Sequence, residues 1–378
     1  MTNNNIVSQD VQSNLLAVDT VKILLPKGSF KLNNTQYFRP NYIGLTRTAT
    51  KQEKANGLYR PKVVLHRLAG TCTIEFSLPK LVRGNNLEEL TVTDFHDVII
   101  LLQMHLKDYG ILVSEENLRW ADLYRGDFGK NLDLTSVCSV SEALNMLNRC
   151  VGFGRHSIYQ IQYLNGGQSL RLQNASTDLL LYDKLHSYEI SGISEKLSVE
   201  KDNYCQKPLC KMLAASHESI LRIERRYTCR KAVRKLFTRY GVKMPKLEDI
   251  CNPQIGQDII TTDWQSLVNA CIFPPQSQVT RQLELVLDFL KIDRCKTLGP
   301  ALSYVLLQTL LKEYSVKDLK NQFKSYVSPS TLNNWFEKMH NLACEKEQKP
   351  PILEEITRQI TAWQPFRLRI DVSDEELL

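Results

Sequence analysis

The sequence predicts an α+β protein: an antiparallel or mixed β-sheet domain with flanking helices, followed by an all-α C-terminal domain. Three observations carry this. Strand-like and helix-like segments alternate between residues 58 and 241, a strand meander with an Asn-Gly turn lies among them, and strand signals give way to helical ones from Gln276 onward. At 378 residues and 43% hydrophobic content the chain is long enough for two domains, each with a sizeable core. We place a flexible tail at 1–20, the sheet domain at 21–245, the helical domain at 246–370 and an acidic tail, DVSDEELL, at 371–378.

The opening residues, MTNNNIVSQDVQSN, lack the basic segment, apolar run and cleavage site of a signal peptide, and no later run reaches the roughly 18 apolar residues of a membrane span. The expected location is the cytoplasm, with no membrane partner. TCTIEFSL alternates as a half-buried strand, Ile74, Phe76 and Leu78 on one face and Thr73, Glu75 and Ser77 on the other. After Pro79 and the turn residues Gly84, Asn85 and Asn86, TDFHDVIILLQMHL repeats Phe95, Val98, Ile99, Leu102 and Leu106 at helical spacing behind a Thr93 cap. NLRWADLYRGDF reads as a strand and SVSEALNMLNR as a helix. SIYQIQYL, QSLRLQ and DLLLYDK form the meander, its first turn at Asn165-Gly166-Gly167. SGISEKLSVEKDNYCQKP reads as a loop with one helical turn, LRIERRY as a strand, and Pro245 and Pro253 flank KLEDICN where the boundary falls.

Lys plus Arg number 48 against 41 Asp plus Glu, a net charge of +7 that favours polyanions such as nucleic acid. The ten cysteines include no CxxC pair, Cys205 and Cys210 being nearest, so reduced thiols are expected. No two histidines stand one or three residues apart, which removes a histidine metal box.

Chemistry concentrates in DLLLYDK. As a strand it sets Tyr182 and Lys184 on one face, so an ammonium stands beside a phenol. A free tyrosine ionises near ~10, and a neighbouring cation supports negative charge developing on its oxygen. Carboxylates recur in strand-like settings: Glu75, Glu224 on the face shared with Arg222 and Arg226, and Asp122 or Asp127 in ADLYRGDFGKN. Converging from three strands, they suit a hard divalent ion; the plainer reading pairs each with an arginine. LRIERRY and the run RRYTCRKAVRKLFTRYG that continues from it offer Arg222, Arg226, Arg230, Lys231, Arg234 and Lys235 to phosphates. VKDLKNQFKSYVSPSTLNNWFEKMHNL looks like a helix-turn-helix, its second helix starting at Ser328-Pro329 and carrying Asn333, Asn334 and Lys338.

The ordered set TIEFSLPKLVRGNN, LYRGDFGKN, LLLYDK, LRIERRY with its basic helix, and a helical tail resembles the filamentous-phage gene II/X replication initiation proteins and similar rolling-circle plasmid initiators. The resemblance covers residues 55–245. It implies a nicking and joining enzyme whose nucleophile matches Tyr182, with Lys184 two residues on. It also implies a magnesium or manganese site matching Glu75, the Asp of an Arg-x-Asp strand, and Glu224. Arg125-Gly126-Asp127 favours Asp127, but Gly126 stands where a β-branched residue suits a strand, so Asp122 stays open. The implied product is a 5′-phosphotyrosyl enzyme and a 3′-hydroxyl primer. The implied partners are origin DNA, single-stranded or supercoiled, and host helicase and DNA polymerase in a bacterial cytoplasm, with a homo-oligomer on DNA compatible. A second tyrosine, Tyr188 or Tyr204, is a candidate for termination. The rivals are a non-catalytic origin-binding regulator and a nuclease that does not rejoin.

Overall fold

The computed structural model describes residues 14–150, 160–164, 167–186, 203–269, 298–311, 314–343 and 350–368. It is mixed α+β, built on one large sheet. The strands are β1 (Val18–Leu25), β2 (Arg39–Asn41), β3 (Gly44–Arg47), β4 (Lys62–His66), β5 (Thr71–Ser77), β6 (Asp122–Asp133), β7 (Gln160–Leu164), β8 (Ser169–Gln173), β9 (Thr177–Asp183) and β10 (Ile220–Tyr227). They lie in the order β7-β8-β9-β10-β6-β1-β5-β4-β3-β2. Every ladder is antiparallel. Two-residue and three-residue pairs, Leu15–Leu16 with Leu90–Thr91 and Phe30–Leu32 with Ile111–Val113, lie outside it.

The helices are α1 (Lys51–Ala55), α2 (Leu78–Arg83), α3 (Phe95–Asp108), α4 (Glu115–Arg119), α5 (Val140–Cys150), α6 (Lys207–Ala215), α7 (Arg230–Thr238), α8 (Pro253–Asn269), α9 (Leu298–Leu310), α10 (Val316–Phe323), α11 (Pro329–Ala343) and α12 (Pro351–Ala362). All five apolar positions expected of α3 are buried, each contributing about 1.5–3 kcal/mol by leaving water. Its cap differs from expectation: Asp94 precedes it and bonds back to the Thr91 backbone at 2.7 Å, closing a 3-10 turn where Thr93 was expected to cap. The meander, α5, β10 and α7 stand where the periodicity put them.

Other expectations need correction. The tail does not extend to residue 20, because Leu15, Leu16, Val18 and Asp19 are buried and Val18 to Thr20 pair within β1. Leu78 and Pro79 begin α2, the Ser77 side chain accepting from the Lys80 backbone at 3.4 Å and Gly84 closing the helix at φ 73. Residues 115–119 are the short helix α4, capped by Ser114, and the strand starts only at Asp122. Gly126 does lie within β6, whose ladder to β1 shifts register between Leu123 and Arg125 and between Gly126 and Phe128. α6 starts at Lys207 and Pro208, the end of the stretch expected to be a loop with one helical turn, and runs on to Ala215.

The core also crosses the expected boundary at 245. Ile255, Ile259, Trp264 and Val268 of α8 and Leu353, Ile356 and Ile360 of α12 pack in the same cluster as Ile23, Ile74 and Phe128 of the sheet. α10 and α11 follow one another as the sequence suggests, Ser328 Oγ accepting from the Thr331 backbone at 3.2 Å. Asn165-Gly166, Tyr188, the charge-mixed stretch through Asp202, the helical signals between Val279 and Leu290, and the acidic tail lie outside the described residues. No helix among the described residues is long and apolar enough to cross a membrane.

Candidate active site

Residues directly opposed in a ladder share a face. Glu224 stands opposite Leu180 and Gly129, Arg222 opposite Tyr182 and Asn131, and Arg226 opposite Asp178 and Asp127. One face of the sheet centre therefore carries Tyr182, Arg222, Glu224, Arg226, Asp127 and Asn131. β10 is buried on both faces, so these charges must be satisfied by one another.

They are. Tyr182 Oη donates to Glu224 Oε2 at 3.0 Å, and Glu224 also accepts from Arg222 Nε at 3.1 Å and Arg226 Nε at 2.6 Å. Arg125 bridges two acids, donating to Glu75 at 3.0 Å and to both oxygens of Asp127 at 3.0 and 2.5 Å, while Arg226 lies 3.9 Å from Asp127. Arg222 reaches on to Asp19 at 2.6 Å. Asp19 in turn accepts from Ser77 Oγ at 2.7 Å and Asn86 Nδ2 at 2.8 Å. Four carboxylates thus alternate with three guanidiniums. Burial pushes the Asp127 carboxyl up, against the opposing pull of Arg125 and Arg226.

Beside this network opens a cleft of about 540 Å³ lined by Asp19, Glu75, Asp127, Glu224, Arg125 and Arg226 of the cluster and by Lys54, Tyr59, Arg60, Lys62 and Lys80 at its walls. Tyr182 is 7% exposed and does not line the cleft. Lys184 follows the end of β9, fully buried, its Nζ 5.6 Å from the centroid of the Tyr182 ring. That is cation–π range, so this ammonium stands over the ring.

The structure gathers Tyr182, Lys184, Glu75, Asp127 and Glu224 and leaves Asp122 apart. Asp122 pairs with Arg230 at 2.8 Å and Lys246 at 2.5 Å and does not line the cleft. Arg222 and Arg226, expected to contact DNA phosphates, are buried within the cluster. Lys231 and Lys235 are exposed on α7 and Arg234 is half-buried, none of the three lining the cleft. Asn333, Asn334 and Lys338 are exposed on α11. Tyr204 packs against α1, its hydroxyl donating to the Leu58 carbonyl at 3.0 Å and its ring 5.5 Å from Lys54 Nζ.

Four carboxylates, Asp19, Glu75, Asp127 and Glu224, border this cleft, and hard carboxylate oxygens are the donor chemistry that suits magnesium or manganese. In this arrangement Arg125 fills the interval between Glu75 and Asp127, and among the described residues no three His, Cys, Asp or Glu side chains are grouped to hold an ion. Sequence reasoning missed Asp19, whose signal was a lone acid breaking the apolar run of β1. It missed Asn86 as well, which had been read only as a turn residue.

The fold and site define an α+β protein with a charged, arginine-bridged cleft on the face of an antiparallel sheet. Comparison with protein-family models, curated proteins and solved structures finds no match.

Proposed function

We propose that the protein nicks and rejoins DNA through Tyr182, initiating rolling-circle replication of a phage or plasmid. The observation that carries the reading is the 3.0 Å hydrogen bond from Tyr182 Oη to Glu224 among arginines. In this reading Glu224 takes the phenolic proton as the tyrosine oxygen attacks phosphorus in line. The P–O3′ bond breaks, its electron pair staying with the 3′-oxygen, which takes a proton from solvent. The products are a 5′-phosphotyrosyl link and a 3′-hydroxyl primer. Rejoining runs the same steps backwards, which the conserved bond energy of the covalent link permits.

Arg125 and Arg226 line the cleft where non-bridging phosphate oxygens would lie, and Lys184 supports charge on the tyrosine ring. A magnesium or manganese ion held by Glu75, Asp127 and Glu224, with Arg125 turned away from them, would add charge neutralisation at the scissile phosphate. The burial of Tyr182 behind Glu224 makes rotation of Glu224 part of the attack. That same burial, with every candidate carboxylate held by an arginine, supports the second reading, a regulator that binds the origin without cutting it.

Glu224→Gln keeps the shape of the side chain but cannot take the proton. It should slow nicking of supercoiled origin plasmid by about 10²–10⁴; because it also leaves Arg222 and Arg226 without their shared carboxylate, melting should fall, so rates are compared well below the lowered melting temperature, where oligonucleotide binding should persist. Nicking at full rate in this variant would remove Glu224 from the mechanism.

A further inference from the structure

We infer that a single DNA strand crosses the sheet to reach the Glu224–Tyr182 pair, its phosphates held by Lys62, Lys22 and Arg125 on the sheet and by Lys54 of α1. The inference rests on the nicking reading and names the surface that feeds it.

Register sets Arg125 opposite Lys22, Lys22 opposite Glu75, and Glu75 opposite Lys62. Four side chains from four adjacent strands thus form a row on one face of the sheet, spanning roughly 14 Å at ~4.8 Å per strand; Lys62, Glu75 and Arg125 line the cleft, and Lys22 stands in the row outside that lining. Three are cations, and the lone carboxylate is already held by Arg125 at 3.0 Å. Lys62 is exposed and Lys22 half-exposed, so both ammonium groups can exchange water for phosphate without a burial cost.

Lys54 of α1 also lines the cleft, with the Tyr204 ring beside it. A cation next to an aromatic face is what single-stranded nucleic acid uses for phosphate and base together. α1 buries no residue of its own. It is held instead by Glu53, which pairs with Arg47 at 2.8 Å and Arg60 at 3.0 Å. The brace fixes a segment without a core beside the cleft, with its lysine lining it. α7 offers no such path, since Arg230 is committed to Asp122 and Tyr124 and none of its cations lines the cleft.

The test uses the full chain carrying Tyr182→Phe, in chelator, so that binding is read without cutting. Fluorescence anisotropy would follow a labelled oligothymidylate of roughly 15 nucleotides, about one single-strand site. Lys54→Ala with Lys62→Ala should weaken binding by about tenfold or more near ~0.1 M salt and lower the salt slope by about 1.4, two phosphate contacts at ~0.7 each. Four results would overturn the track: binding unchanged in that double variant, no binding by the parent chain, the loss appearing instead in Lys231→Ala with Lys235→Ala, or thymidine monophosphate competing as well as the oligonucleotide. The last would make the cleft a small-ligand pocket. A covalent adduct formed by the chain with Tyr182 intact is read separately, so failure of the track and failure of the nucleophile are distinct outcomes.

Discussion

Arg222 reaches Asp19, Asn131 and Glu224 because Gly129, on the neighbouring strand, has no Cβ: one built there would meet Nη2 at 2.7 Å and Cζ at 2.9 Å. A glycine inside a central strand weakens the ladder locally, and here it makes room for a guanidinium lying over the backbone. Asp19 is the far anchor of that arginine, and both side chains are 3% exposed. Asp19→Ala would leave Arg222, Ser77 and Asn86 short of a buried acceptor. Urea unfolding should show a loss of about 3–5 kcal/mol, the usual result of breaking a buried ion pair from one side; a loss below ~1 kcal/mol would show that the pair is not a structural anchor. Tyr182, Glu75 and Glu224 were legible as candidates because strand parity sets the face of each within its own strand. Asp19 and the choice of Asp127 over Asp122 were not, since both depend on which strands become neighbours and on where β6 shifts register. Nor does local pattern show that Arg222 and Arg226 point inward, because their burial follows from strands pairing on both sides of β10.

Among the elements, α1 depends most on charge. Burial alone would raise the Glu53 carboxyl, but hydrogen bonds from the Thr50 backbone, Arg47 and the Thr50 hydroxyl reverse this and hold it at about 2. Its folded pKa lies below its ordinary value of 4.5, so the stability it adds is complete above about 4.5 and is lost as pH falls toward about 2. An NMR titration of the Glu53 carboxyl should therefore show a midpoint near 2, with amide exchange in α1 rising over the same interval. A midpoint at the ordinary value would mean that the brace does not form. α3, at fourteen residues, shows 3.6-residue periodicity, α7 shows an apolar face against a strongly basic one, and the meander shows alternation. α2 and α4 were missed because six and five residues give too few turns for a periodic signal, and α6, as long as α7, lacks so sharp a division of faces. α2 and α4 are set instead by single capping hydroxyls, Ser77 and Ser114.

At the scale of the molecule, one hydrophobic core joins the sheet to α8 and α12 across position 245. The expected boundary followed a change in composition, and composition does not report which face a later helix covers. Arg225 shows the linkage in one contact, leaving β10 to pair with Asp263 of α8 at 2.5 Å. The net charge of +7 is consistent with a polyanion partner, and the cleft gives that charge a location, with Lys54, Arg60, Lys62 and Lys80 in its walls. Everything functional then depends on whether Tyr182 leaves its bond to Glu224 and attacks phosphorus. The direct measurement is incubation of the chain with a labelled origin oligonucleotide or supercoiled origin plasmid and magnesium or manganese, followed by a denaturing gel. The account predicts a protein–DNA adduct that is lost in Tyr182→Phe while folding and binding persist; verified origin binding with neither nick nor adduct would make Tyr182 a packed strand residue and contradict it.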